Sequence, residues 1–460
     1  MIKRDDFMAK RKFFSISATH IILFSFLLVI LLGSSLLSLP FSTKSGEPVA
    51  YIDALFTATT ATCVTGLVTL PTVSTWSFFG QAVILILIQI GGLGTITVIT
   101  GFMIAMQKRI GMNERQLIQA AFNLDTMNGL VRFVKKVIFG TFLIEGIGAL
   151  LYMTVFIPEF GLQGIWISVF NSVSAFCNAG IDIVAENSLC NYATNPLINT
   201  VTSILIILGG LGFIVWWDVL RVCKDFKRQN FRCFERLTLH SKIVLTSTAF
   251  LIFAGAFFLL LFEYHNPLTM GNASFFDKLQ IALFQSVTTR TAGFATVPQE
   301  NLTDSSALLC LILMLIGGSP VGTAGGIKTV TFTVLTATAL ATIRNKRDVS
   351  LFRRNLAKEA IYKTVAVFIT FSFIVLISSF LLSAVTDAEM LDIFYETVSA
   401  TATVGLTRNL TFSLNIWGKL IIITTMYFGR VGPMSLAIAL NVKQETVNII
   451  KNPTENITVG

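Results

Sequence analysis

The sequence predicts an all-α membrane protein, with eight transmembrane helices arranged as four tandem helix–re-entrant-loop–helix repeats about a pseudo-fourfold axis. Three observations carry this expectation. The 460 residues are 53% hydrophobic and only 13% charged, whereas a soluble chain is about 25% charged. Apolar runs long enough to cross a bilayer recur along the whole chain. Two short glycine-containing landmarks repeat four times in register. Charge this sparse cannot cover a soluble body of this size. That excludes an ordinary cytosolic enzyme, a disordered chain and a nucleic-acid binder.

The apolar runs fall at 20–39, 80–106, 137–157, 199–220, 240–262, 305–343, 362–384 and 416–441. A hydrocarbon core about 30 Å thick needs about 20 residues per helix. The first run has that length and lacks a small-residue cleavage site, so it reads as a retained span. Of the 34 basic residues, 27 lie on the N-terminus, on the loops after the second, fourth and sixth runs, and on the tail. The opposite loops hold only Lys44, Lys278, Arg408 and Lys419. By the positive-inside rule both termini are cytoplasmic. Topology thus explains the net charge of +9, with docking of an acidic cytoplasmic partner as the other reading of the same loops. The expected organisation is an N-terminus (1–19), repeat 1 (20–106), a cytoplasmic loop (107–136), repeat 2 (137–222), a loop (223–239), repeat 3 (240–343), a loop (344–361), repeat 4 (362–441) and a cytoplasmic tail (442–460).

Six cysteines form no CxxC or CxxH pair, and three histidines are scattered. Neither a metal motif, a disulfide framework nor a resident cofactor is signalled. No Ser/His pair, paired carboxylates or HExxH supports an enzyme.

The repeat is read by aligning four segments on one glycine: Thr62-Cys63-Val64-Thr65-Gly66, Phe176-Cys177-Asn178-Ala179-Gly180, Thr289-Arg290-Thr291-Ala292-Gly293 and Thr401-Ala402-Thr403-Val404-Gly405. The glycines are 114, 113 and 112 residues apart. A near-constant period marks an internal repeat. A second landmark follows 24 to 29 residues later: Gly91-Gly92-Leu93-Gly94, Gly209-Gly210-Leu211-Gly212, Gly317-Gly318-Ser319-Pro320 and Gly429-Arg430-Val431-Gly432. Short helices are expected before each aligned glycine, at 51–61, 165–175, 277–288 and 391–401. Asp53, Asp277 and Asp392 suit their N-terminal caps, with Ser168 in the second. If these helices stop at mid-depth, four partial negative charges converge on the axis. Irregular backbone at membrane depth is tolerated only around a cavity or inside protein. Carbonyls facing such a cavity replace the water shell of a cation, and glycine leaves the axis free of Cβ atoms. The four loops are therefore pore loops around a pseudo-fourfold pore, with the backbone carbonyls rather than the flanking threonine side chains as ligands.

These segments resemble the selectivity filters of the Trk/Ktr/HKT superfamily of potassium transporters. Thr62-Cys63-Val64-Thr65-Gly66-Leu67, Asn178-Ala179-Gly180, Thr289-Arg290-Thr291-Ala292-Gly293-Phe294 and Thr403-Val404-Gly405-Leu406 carry the match, and Ktr-type membrane subunits are the most similar. The resemblance implies potassium uptake, often sodium-linked, at a bacterial plasma membrane. It implies a homodimer on a cytosolic RCK-type (KtrA-like) ring, with the regulatory nucleotide bound by that partner and no cofactor in this chain. Gly66 fits the potassium-selective pattern of the family.

Within the sixth run, residues 317–328 (Gly317-Gly318-Ser319-Pro320-Val321-Gly322-Thr323-Ala324-Gly325-Gly326-Ile327-Lys328) cannot continue a helix cheaply. This segment reads as a gate loop, as the family uses it, or as a kink. Lys328 either plugs the path, finds a carboxylate or snorkels. An intramembrane Arg430 is costly and implies a role near the path below the filter, or a buried ion pair. Arg290, inside the third filter segment, reads as a brace pointing away from the axis. Glu145 and Glu396 are candidate partners for these arginines. The competing reading is a secondary carrier of a small organic solute; parallel rather than inverted repeats favour the pore.

Overall fold

A computed structural model describes residues 18–108, 110–122, 129–224, 233–346 and 348–432. The tail, the N-terminus before residue 18 and the end of the eighth run lie outside the described residues. Each repeat opens on a long helix: Ala18–Leu37, Leu130–Phe160, Leu239–Glu263 and Lys358–Ser383. These four are long and apolar enough to cross a membrane. Their outward faces carry Phe24, Phe139, Phe253 and Phe373, each at least 60% exposed, a surface suited to lipid rather than water.

A short helix follows in every repeat: Tyr51–Cys63, Gln163–Cys177, Phe275–Thr288 and Met390–Ala402. At 1.5 Å per residue, 13 to 15 residues reach only about 20 Å, two-thirds of the hydrocarbon core. All four are largely buried. Their N-terminal caps differ from expectation. Asp53, Asp277 and Asp392 occupy the third helical position rather than the cap, and only the third helix has a side-chain cap, Ser274 accepting from the Asp277 amide. Ser168 lies inside the second helix and donates to the Gly164 carbonyl at 2.6 Å. The carboxylates still face the positive end of each helix dipole. Asp53 pairs with Lys419 and Asp392 with Arg408, each at 2.6 Å.

The second arm of each repeat departs from the sequence expectation. Only the sixth run was expected to break, yet Phe78–Leu93 and Thr95–Ala105 meet at a 99° bend, as do Pro196–Leu211 and Phe213–Lys224. The residue at each bend is Gly94 or Gly212, with φ of +84° and +83°, and Gly432 ends Ile416–Val431 at +88°. With ψ near 140° this backbone is nearly confined to glycine, so the last glycine of each landmark breaks the helix. Pro320 holds that register in repeat 3, between Asp304–Leu315 and Thr329–Ile343. Among the described residues, counting each bent pair as one span gives up to six.

The repeats close into a ring. The second short helix packs on Phe78–Leu93, the third on Pro196–Leu211, the fourth on Asp304–Leu315 and the first on Ile416–Val431. Landmark glycines allow the close approach. A Cβ on Gly91, Gly209 or Gly429 would overlap the carbonyl oxygen of Thr62, Phe176 or Thr401 at the end of a short helix. A two-stranded hairpin, Ser350–Leu351 with Arg354–Asn355, links repeats 3 and 4.

Candidate functional site

Three short helices run directly into a left-handed residue, and the third, ending at Thr288, reaches one two residues after its right-handed cap Thr289. Two residues before the aligned glycine the backbone turns left-handed, at Val64, Asn178, Thr291 and Thr403 (φ +56°, +60°, +67°, +52°). The glycines follow with φ of +98°, +64°, +84° and +98° at Gly66, Gly180, Gly293 and Gly405. A left-handed turn costs a non-glycine residue about 1–2 kcal/mol and is rarest for a β-branched side chain. Val64, Thr291 and Thr403 are held there by hydrogen bonds on either side. The Thr65, Ala179 and Val404 amides donate back to the Thr60, Ser174 and Ser399 carbonyls at 2.8–2.9 Å, and Ala292 to Thr288 at 3.0 Å.

The four glycines meet. A Cβ built on Gly66 would lie 2.6 Å from the Ala179 oxygen, and one on Gly180 would lie 2.5 Å from the Ala292 oxygen. On Gly293 it would lie 2.5 Å from the Val404 oxygen, and on Gly405 it would overlap that of Thr65. The order 66, 180, 293, 405 and back to 66 is a closed circuit, in which each glycine abuts the carbonyl preceding the next. Side chains here would collide with backbone, which cannot rotate away. The same glycines line one open vestibule, with Asp182, Glu186 and Glu300 on its wall.

Hydroxyls behind the loops fix their shape. Thr60 Oγ1 accepts from the Gly66 amide at 2.9 Å and Ser399 Oγ from Gly405 at 3.0 Å. Ser174 Oγ donates to the Ile181 carbonyl at 2.5 Å, and Thr288 Oγ1 to that of Phe294 at 2.6 Å. The sequence reading missed these four. Their signal is a Ser or Thr six residues before the glycine in three repeats and five in the third.

Loop 316–328 crosses on the side of the glycine ring away from the vestibule. Its Ser319 and Thr323 amides donate to the Gly210 and Gly209 carbonyls at 2.8 and 3.1 Å. Thr323 Oγ1 donates to the Phe176 carbonyl at 3.1 Å. Gly325 abuts Thr403, so closely that a Cβ there would lie 2.6 Å from the Ala402 oxygen. Arg430, in the fourth repeat, bridges the third and first at this level, donating to the Thr323 carbonyl at 2.6 Å and to that of Gly91.

A model of the TrkH family, described as a cation transport protein, matches residues 8–451. The chain belongs to that family. This TrkH-family chain is 39% identical over 459 residues to the potassium/sodium uptake protein NtpJ of Enterococcus hirae, covering 98% of this chain and 99% of that one. It is 39% identical to the Ktr system potassium uptake protein B of Bacillus subtilis, over 94% of each chain. The crystal structure of the potassium transporter TrkH from Vibrio parahaemolyticus aligns with a TM-score of 0.75 at 17% identity, over 94% of this chain and 86% of that one, a likeness of fold. The expected membership of the Trk/Ktr superfamily is borne out, and the family and its relatives are ion transporters rather than enzymes.

Within this TrkH-family chain the charged residues find other partners than expected. Arg290 turns from the axis and donates to the Thr248 and Gly317 carbonyls at 3.4 and 3.0 Å. Lys328 Nζ donates to the Ala324 carbonyl within its own loop at 2.6 Å. Glu145 accepts from Gln89 at 3.2 and 3.3 Å. Glu396 accepts from Thr407 at 2.6 Å and from Thr411. Among the described residues neither Arg290 nor Arg430 meets a carboxylate. Main-chain oxygens take that place, since each guanidinium presents several donors: the carbonyls of Gly317 and Thr323 in the broken sixth run, of Gly91 in the last turn of its helix and of Thr248 within Leu239–Glu263.

Proposed function

We propose that the chain is the potassium-selective, ion-translocating subunit of a Ktr-type uptake system. Potassium passes a single central pore through a four-loop filter made by Thr62–Gly66, Cys177–Gly180, Arg290–Gly293 and Ala402–Gly405. The carbonyls of Thr65, Ala179, Ala292 and Val404 replace part of the ion's water shell. Four helix C-termini aimed at the same axis add negative potential. Arg290 belongs to the third segment as its brace, not as a ligand. One observation carries the reading: four glycines, spread over 340 residues of chain, each abut the carbonyl that precedes the next. The names of the relatives supply the ion, potassium in the Bacillus protein and potassium or sodium in the Enterococcus one.

Loop 317–328, with Gly317, Gly318, Gly322, Gly325, Gly326 and Lys328, is the gate beneath this filter, and Arg430 is its clasp. The vestibule faces outward and both termini face the cytoplasm of a bacterial plasma membrane, as the basic loops favour. The working unit is a homodimer on a cytosolic nucleotide-binding ring, with sodium-dependent uptake. Rubidium uptake into vesicles tests this, with sodium varied and the ring present or absent. Saturable rubidium entry that sodium accelerates and the ring regulates is expected. Entry absent under every condition, with protein correctly inserted, contradicts it.

A further inference from the structure

Where repeats 2 and 3 meet, the ring leaves a seam on its outside. Pro196–Leu211 packs on the short helix Phe275–Thr288 and only marginally on the long helix Leu239–Glu263. The landmark glycine draws it inward, since Gly209 approaches the Phe176 carbonyl so closely that a Cβ would overlap it. Small side chains line the seam, Thr200 and Ser203 from one helix and Thr248 and Ala249 from the other. The space left between them is a groove of about 420 Å³. Phe253 and Ile204, which also line it, are 68% and 50% exposed. The groove thus opens on the same lipid-facing surface as the phenyls of the long helices.

The groove is polar at one end and apolar at the other. Asn199, Thr200 and Gln280 stand at the vestibule end, where Gln280 Nε2 donates to the Ala193 carbonyl at 3.3 Å. Asn199 is 2% exposed, and its Oδ1 has no hydrogen-bond partner. Leu211 and Leu245 lie at the far end. From Asn199 to Leu211 the helix rises about 18 Å, close to the half-thickness of the hydrocarbon core, about 15 Å. A helix of that length fills roughly 1,400 Å³, so the groove does not seat a helix of a second copy. Inward, Ile207, Thr248, Ile252 and Val287 also line a small cavity of about 20 Å³ that ends on Arg290 and on Gly318 of loop 316–328.

We propose that this groove holds one acyl chain of a membrane phospholipid from the leaflet on the vestibule side, with the polar end of the lipid at Asn199, Thr200 and Gln280. Inside a bilayer no hydrophobic gain separates protein from lipid. Contact holds the chain instead, because an unfilled groove forfeits the dispersion attraction of its whole lining. The polar end sets direction. Thr200 Oγ1 donates to an ester carbonyl, and Asn199 Oδ1 accepts from a headgroup hydroxyl or ammonium, the donor it lacks within the protein. An occupied groove backs the wall of the small cavity, and with it the Thr248 and Gly317 carbonyls that Arg290 bridges. The site needs the membrane and not the filter.

The test places the full chain in vesicles of phosphatidylethanolamine and phosphatidylglycerol, part of the latter carrying a diazirine at mid-chain. Photolabelling followed by peptide mapping reads where the chains lie. Label at Ile207, Leu245 and Leu283 in the groove is expected to exceed that at the lipid-facing Phe139 and Phe373 roughly fivefold, the retention that one headgroup hydrogen bond gives. Ala249→Trp fills the groove from its lipid-exposed side. It is expected to bring groove label down to the level at Phe139 and Phe373, whose own label stays unchanged. Melting checks that the variant folds, and Thr200→Trp plugs the polar end should Ala249→Trp fail. Equal label at the groove and at the two phenyls of the parent means annular lipid only and overturns the proposal. Groove label that a folded plugged variant leaves unchanged overturns it too. So does a groove without label, and an intersubunit disulfide in Ala249→Cys would then give the groove to a second copy of the chain.

Discussion

Gly66 concentrates the chemistry of the ring into one residue. Its φ of +98° disfavours any side chain, and a Cβ would lie 2.6 Å from the Ala179 oxygen. Serine there must push a carbonyl aside, which changes the cage a bare ion meets. Gly66→Ser is expected to weaken growth at low potassium and to shift uptake toward sodium, read from rubidium and sodium influx in the same vesicles. Growth rescue indifferent to the change would contradict the assignment. Ring glycines were legible in sequence because crowding leaves no other residue. The left-handed Val64 and Thr403 were not. Their conformation is imposed by hydrogen bonds to Thr60 and Ser399, and nothing in a valine or threonine advertises it.

At the scale of elements, the breaks in the second arms decide what can move. Hydropathy sees 80–106 and 199–220 as unbroken apolar runs, because it registers composition and not backbone angle. Only Gly94 and Gly212, at the end of each landmark, held the signal. The third arm has a longer break than the first two, with loop 316–328 between its two helices and Pro320 where the others have glycine. Arg430 ties that loop to Gly91 through two carbonyls. Arg430→Ala removes both bonds and is expected to raise rubidium flux at least threefold in the absence of the cytosolic ring. Arg430→Lys keeps the charge but cannot reach two carbonyls with a planar fork, so it should also raise flux. Wild-type flux in the lysine variant would mean that charge alone matters and that the clasp does not. Deleting residues 319–325 is expected to raise flux further, and a deletion with parental flux would remove the gate.

Across the whole molecule, one chain imitates a tetramer, and the first and last repeats must find each other to close it. Asp53 and Lys419 do so at 2.6 Å across 366 residues of sequence, helped by Tyr427, which donates to the Leu23 carbonyl at 2.9 Å. The pair is largely shielded, with side chains 13% and 16% exposed, between the surface case and the buried one. A double-mutant cycle of Asp53→Asn and Lys419→Met is expected to give a coupling of about 1–2 kcal/mol in unfolding. A coupling near zero would show that closure does not depend on the pair. The fourfold plan was legible because the glycine period survives divergence of everything between. The closing pair was not, since nothing local links residues so far apart. In the proposed filter Thr65, Ala179, Ala292 and Val404 present their carbonyls to one dehydrated ion. Anomalous scattering from crystals grown in rubidium measures this most directly. A peak on the axis within coordination distance of all four oxygens is expected. Strong rubidium peaks elsewhere, with none inside the ring, would contradict it.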